Sequence, residues 1–374
     1  MYNIGIDIGP EVTIVSRSPG YGNEKVSQIS LKHKQYSLGR KIKTVICKIN
    51  DEWSLCPHNE IVEYIEVTRN SWLDDTPTKE KENFTMFVKL LFQAIIDSDV
   101  DLEYDETTGK KNFDLIVGYP AYWEHHRHNA TIQYRTFLKT ECGLPVDCTS
   151  NEAEVRFREP NSLTFNERHN KIFVIDINFD TINFTGLPCW SNEYKSCWSL
   201  NLGTQRIVDT LMYNILRTDT NAQNLQTVIE FRKSLKFNGD IVHQLLLRLK
   251  GELKRYFEEG KDAFSFVIPF REYIPTSHRD FCIIYSVSDE EFNKLIFGYI
   301  QQVKFAIDNA KIRLSQYGWK PQSVFITGNW SVMLSYYLDL ISYIEEIFEV
   351  KVYLDVCPET SISEGLALTR IIRV

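Results

Sequence analysis

Three short stretches of the chain pair an acid or a glycine with the end of a strand in a way that suits phosphate chemistry. Asp7 closes the run NIGIDIG with Gly9 just beyond it, Asp176 closes IFVIDIN with Thr181 past the turn, and Gly328 ends SVFITGN ahead of a helix. An acid at the mouth of a strand hairpin can hold a hydrated divalent cation while backbone N–H groups of the turn take phosphate oxygens. A glycine between a strand and a helix start opens unpaired N–H groups to the rest of a nucleotide. Each stretch alone is a weak signal, because any buried strand can end in aspartate. Their repetition is what raises a binding cleft above strand-end acids.

The elements that must position these residues form an internal echo. Asn3 to Gly9 and Ile172 to Asn178 are both short β-rich runs closing on Asp-Ile, and each is followed by a second run of β-formers, Val12 to Val15 and Thr181 to Thr185. Two hairpins, one opening each half, predict a duplicated α/β architecture with lobes 1–155 and 156–374 and a boundary in the polar segment from Thr149 to Asn170. Strands are expected over Thr44 to Ile49, Trp53 to Leu55 and Phe113 to Val117. Helices are expected near Lys81 to Ser98, Glu124 to Cys142, Gln205 to Leu216, Val242 to Glu258, Asp289 to Tyr317 and Ser331 to Phe348. Trp123 and Tyr122 read as core, and Tyr336, Tyr337, Leu340, Ile344 and Ile347 as a packing stripe of helical spacing.

Composition narrows the partners. With 374 residues, 43% apolar and 25% charged, the chain is an ordinary globular one with length for two lobes. A net charge of -8 argues against a nucleic-acid or anionic-membrane surface, and no apolar stretch is long enough to span a bilayer. A cytoplasmic protein that keeps its eight scattered cysteines reduced is the expectation. The knot His125, His126, Arg127, His128 lacks accompanying metal ligands and reads as a solvated first helical turn. No Walker A loop, dinucleotide fingerprint, zinc motif or nucleophile elbow is present.

The order of the motifs carries a resemblance. IGIDIG, IVGYPAYWEHHRHNAT, GLPVDCTSNEAEVRF, FVIDINFDTINFT, SVFITGN and PETSISEGLAL are similar to the successive motifs of the ATPase domain of the seventy-kilodalton heat-shock chaperone family, in the actin, sugar-kinase and chaperone superfamily. The segment Ile116 to Ala153 carries the most of it, with Pro120, Ala121, Tyr122, Ala130, Thr131, Gly143, Leu144, Asn151 and Glu152 in place. The resemblance implies a two-lobed actin-like fold of duplicated ribonuclease-H-like domains around a central cleft, binding ATP or ADP with Mg2+. It makes Asp7 and Asp176 the metal-water carboxylates, Glu152 a group orienting the attacking water, and Thr181 the hydroxyl beside the γ-phosphate. Gly9 and Gly203 become phosphate-loop glycines, Gly328 a glycine of the adenosine turn, and Lys254 the lysine on the nucleoside side.

Departures from the pattern gather at the phosphate contacts. Pro10 and Glu11 replace two threonines after Gly9, and Asn178, Phe179 and Asp180 replace three glycines. Thr204 stands for the second glycine of a pair, Thr327 for the neighbour of Gly328, Ser331 for an arginine, and Asn183 for an acid, while the first-lobe lysine has no match. A carboxylate about 4 Å from a phosphate charge costs about 4 kcal/mol at an effective dielectric near 20. Glu11 and Asp180 are then enough to abolish tight binding unless they point away or an extra cation reverses their effect. Loss of glycine also predicts a turn less able to reach left-handed geometry, which Asn178 and Asp180 tolerate and Phe179 does not. The expectation is an ATP-binding protein with slow or absent hydrolysis, acting through lobe closure on a protein partner of unknown identity. The alternative is a pseudo-ATPase scaffold that binds no nucleotide.

Overall fold

Seven successive buried residues make Phe113–Tyr119 a central strand, and the parallel pairing on both its sides explains why both faces must be apolar. A computed structural model of the chain describes residues 2–9, 12–19, 26–33, 36–56, 64–67, 70–73, 76–120, 123, 129–155, 171–187, 197–217, 239–260, 262–269, 282–328, 330–331, 334, 339–355 and 360–368. The fold is mixed α/β with mixed sheets. Its residues group into two units: Met1–Val174 with Phe184–Trp198 and Asp355–Val374, and Ile175–Asn183 with Ser199–Leu354. The knot His125 to His128, Tyr122, Pro10, Glu11, Tyr336 and Tyr337 lie outside the described residues.

In the first unit the strands run in the order Cys148–Asn151, Phe113–Tyr119, Tyr2–Ile8, Val12–Ser18 and Ser27–Gln28. The first three are mutually parallel, and Val12–Ser18 returns antiparallel as the expected hairpin partner. Phe113, Leu115 and Val117 face the main core with the helix Thr78–Ser98, which buries Phe84, Phe87, Val88, Leu91, Ala94 and Ile95 at helical spacing. By strand alternation Ile116 faces the other way, where it packs with Ile362 and Leu366 of the helix Ser361–Ala367. That helix lies so close to the sheet that a Cβ on Gly5 would overlap the carbonyl oxygen of Ser363. Ser16 and Ser363 share a hydroxyl hydrogen bond of 2.9 Å at the same contact. Trp123 is core, as expected: it packs against Trp72 and Tyr134, and its indole N–H donates to Asn70 Oδ1 at 3.0 Å.

In the second unit, the helix Gly239–Glu259 buries Leu245, Leu249, Leu253 and Tyr256 along one side. The strands Ser323–Thr327 and Val352–Leu354 pair in parallel, and of the second echo hairpin, Ile172–Ile177 with Ile182–Leu187, the turn and the strand ends within Ile175–Asn183 fall in this unit. The expected Ser331 to Phe348 helix is observed over Leu340–Phe348, with Leu340, Ile344 and Phe348 buried. Of the six described cysteines, Cys47, Cys56, Cys142 and Cys197 are buried thiols and Cys148 and Cys282 half-buried ones. Burial pushes the Cys142 thiol up to about 12, so it carries no thiolate at neutral pH.

The helix Asp289–Gln316 opens with a complete capping box: Ser288 Oγ accepts from the Glu291 N–H at 3.3 Å, and Glu291 accepts from the Ser288 N–H at 3.0 Å. The backbone hydrogen bond from Ser288 holds the Glu291 carboxyl below its ordinary range, with the Ser288 hydroxyl adding to it. A lowered acid stabilises the fold above its unfolded pKa and loses that contribution as pH falls through the folded one. Removing the cap oxygen in Ser288→Ala should lower stability at neutral pH by about 1 kcal/mol, the scale of an N-cap, as read by urea unfolding. The difference from the wild type should shrink as Glu291 is protonated.

Candidate functional site

In the first unit the predicted site residues meet at the carboxyl ends of the parallel strands. Ile6 pairs with Val117, which puts Asp7 level with Gly118, and Gly118 pairs with Ser150 just before Asn151 and Glu152. Asp7 is two residues past Gly5 and so shares its face of the sheet. Glu152 reaches the same face, because a Cβ on Gly118 would lie 3.2 Å from Glu152 Cγ. Both acids are buried, Asp7 to 7% exposure and Glu152 to 6%. The absence of a side chain on Gly118 makes room for Glu152 Cγ over the strand. The turn beyond Asp7 closes with the Gly9 N–H donating to the Val12 carbonyl at 3.1 Å, and a Cβ on Gly9 would lie 2.6 Å from that oxygen. The Gly9 carbonyl in turn accepts from the Thr44 hydroxyl at 2.8 Å.

The second hairpin repeats this turn in its own unit. Asn178, two residues past Asp176 as Gly9 is past Asp7, donates its N–H to the Thr181 carbonyl at 2.9 Å. The Asp176 carboxylate is held by side-chain amides: its Oδ2 accepts from Asn178 Nδ2 at 2.8 Å and from Asn183 Nδ2 at 3.2 Å. Gly328 is packed against the same acid, with φ of +100°, and a Cβ there would lie 2.7 Å from Asp176 Oδ1. Thr181 is half-buried at the turn and Asp180 exposed.

The tip of this hairpin docks on the start of the helix Gln205–Arg217. The N–H groups of Gly203, Thr204 and Gln205 donate to the carbonyls of Asp180, Asn178 and Phe179, at 3.1, 3.3 and 2.8 Å. These amides would otherwise be the unpaired donors of a helix N-terminus, and no Cβ fits at Gly203 without overlapping the Phe179 carbonyl. In a trans peptide the C=O and N–H point in opposite directions. Three carbonyls aimed at the helix therefore send the N–H groups of Phe179, Asp180 and Thr181 away from it. Among the described residues none of these three N–H groups has a backbone partner. The turn is polarised, acceptors inward and donors outward.

This geometry corrects one expectation from the sequence. None of Asn178, Phe179 or Asp180 has a positive φ, so the tip has no need of glycine and Phe179 sits in it without left-handed strain. The Phe179 ring instead packs toward Trp330, centroids 6.1 Å apart, with the Lys250 ammonium 3.7 Å from its centroid. Sequence reasoning passed over both Trp330 and Lys250. Lys254 lies one turn further along the helix from Lys250, on the side away from the buried leucines.

Two glycine substitutions separate docking from helix propensity. Gly203→Ala forces its Cβ into the backbone of Phe179 and Asp180 and should cost about 1–3 kcal/mol by the scale of overpacking. Gly251→Ala, in a helix position with nothing within 4 Å of an added Cβ, should raise stability by about 0.5–1 kcal/mol. Calorimetric melting of the two variants checks both signs. Neither a scan against protein-family models nor a search among curated proteins returns a match to this chain.

Proposed function

We propose that the chain is an ATP-binding protein of the two-lobed, actin-like chaperone-ATPase type, with slow or absent hydrolysis, acting on a protein partner through nucleotide-linked lobe closure. The observation that carries this reading is the polarised turn. Three successive N–H groups directed away from a docked helix start give that side of the turn the electrostatics of an anion site. The docked carbonyls keep the turn in that orientation before any ligand arrives, so little reorganisation opposes binding. Asp7 and Glu152, buried together at strand ends, support a second polar group of the same site class in the first unit.

The donor set fits a phosphate better than it fits a catalytic metal. A divalent ion with its waters would supply charge neutralisation and an activated water. For Asp176 to receive it through Oδ2, the Asn178 and Asn183 amides must give way, and both are neutral donors that contribute no charge to a cation. Thr181 would hold its hydroxyl beside the terminal phosphate, Gly203 and Gly328 give the close backbone approaches, and Lys254 faces the nucleoside. With one carboxylate already engaged, water activation is weak, and hydrolysis is slow or missing. The scaffold reading is favoured by one observation, the exposed Asp180 carboxylate at the tip, which opposes an anion.

Thermal melting with and without Mg-ATP separates the two readings. A ligand at 100 times its dissociation constant adds about 2.7 kcal/mol to stability, a rise of a few degrees for a chain of this size. That rise, with little phosphate released over hours, is the expected result. No change at millimolar ATP refutes nucleotide binding and leaves the scaffold, while rapid phosphate release refutes only the slow-hydrolysis part.

A further inference from the structure

A neutral set of N–H groups beside an acid is a poor anion site unless a cation accompanies it, and the second unit supplies one. Lys250 is half-buried at the edge of the leucine stripe of the helix Gly239–Glu259, three residues before Leu253, and its ammonium lies over the Phe179 ring at 3.7 Å from the centroid. Contact this short with a ring face fixes a flexible side chain and partly dehydrates its charge. Trp330 backs the same ring at 35° between planes. Phe179 also contributes the first of the three outward N–H groups, so its ring carries the charge of Lys250 to the residue that bears the donors.

We propose that Lys250 is an anion-binding residue of this turn, that Phe179 is the platform holding its ammonium there, and that the anion is the polyphosphate end of a nucleotide. The proposal rests on the nucleotide reading above and adds to it the residue that makes binding electrostatically feasible. An anion approaching the donors of Phe179, Asp180 and Thr181 meets the Asp180 carboxylate. The Lys250 ammonium, held at the tip by the Phe179 ring, offsets that charge and can give a phosphate oxygen a charge-assisted hydrogen bond. The aromatic residue at the tip then has a use that glycine cannot serve. Its π-face holds the cation, while its backbone still presents the N–H.

The test compares tripolyphosphate, Mg-ATP and adenosine binding to the full chain by calorimetry, for the wild type, Lys250→Met and Lys250→Arg. Lys250→Met keeps the apolar stem on the ring and should lose about tenfold or more in affinity for tripolyphosphate and ATP, the scale of one hydrogen bond to a charged group. Adenosine binding should not change, Lys250→Arg should retain most of the affinity, and the salt dependence of tripolyphosphate binding should flatten in Lys250→Met. Melting of the unliganded variants checks their fold. Phe179→Leu keeps the lysine without its platform and should weaken tripolyphosphate several-fold. Wild-type affinity in Lys250→Met overturns the proposal while ATP binding itself stands. Lys250-dependent binding of tripolyphosphate without ATP binding supports the anion role and removes the nucleotide, and binding of neither probe by the wild type overturns both.

Discussion

The three hydrogen bonds from Gly203, Thr204 and Gln205 to the carbonyls of the Asn178–Asp180 tip are the constraint on which the candidate site depends. They satisfy the open end of one helix with the acceptors of one turn, so neither partner needs a side-chain cap. Peptide planarity then leaves no choice about the N–H groups, which must face the other way. Gly203 is required for the approach because any side chain would occupy the position of the Phe179 carbonyl. The orientation of the donors is thus set by backbone packing, and the side chains of the tip are left to vary.

That separation explains how Phe179 and Asp180 can occupy a turn of this kind. The backbone conformation asks nothing special of them, since neither has a positive φ. What changes is the charge and surface around the donors: an exposed carboxylate from Asp180, an aromatic face from Phe179, and the Lys250 ammonium resting on that face. At Asp176 the same trade appears in neutral form, with Asn178 and Asn183 amides holding an oxygen of the acid. Each of these side chains changes the charge around the turn while the backbone donors stay in place.

Much of this was legible in the sequence because it is periodic or local. The Asp-x-Gly and Asp-x-Asn echoes located both hairpins, and both turns close with the same hydrogen bond two residues past the acid. The helices expected over Val242 to Glu258 and Asp289 to Tyr317 are observed over Gly239–Glu259 and Asp289–Gln316. The partners of the tip were not legible. Lys250, Trp330 and Gly203 reach Phe179 from segments far away in sequence, and a lysine on a helix face or a tryptophan after a glycine has no signature apart from the residue it meets. The penalty assigned to Phe179 from sequence was wrong for the same reason: it assumed a left-handed tip, and docking on the helix start removes that need.

Amide hydrogen exchange resolved at Phe179, Asp180 and Thr181, with and without Mg-ATP, tests the polarised turn most directly. Slower exchange is expected at these three amides on adding nucleotide, with Gly203, Thr204 and Gln205 protected in both states because their hydrogen bonds to the tip are already made. Saturating nucleotide that leaves the three tip amides unchanged would remove them as the anion site, and rapid exchange at Gly203 to Gln205 without nucleotide would remove the docked, polarised turn.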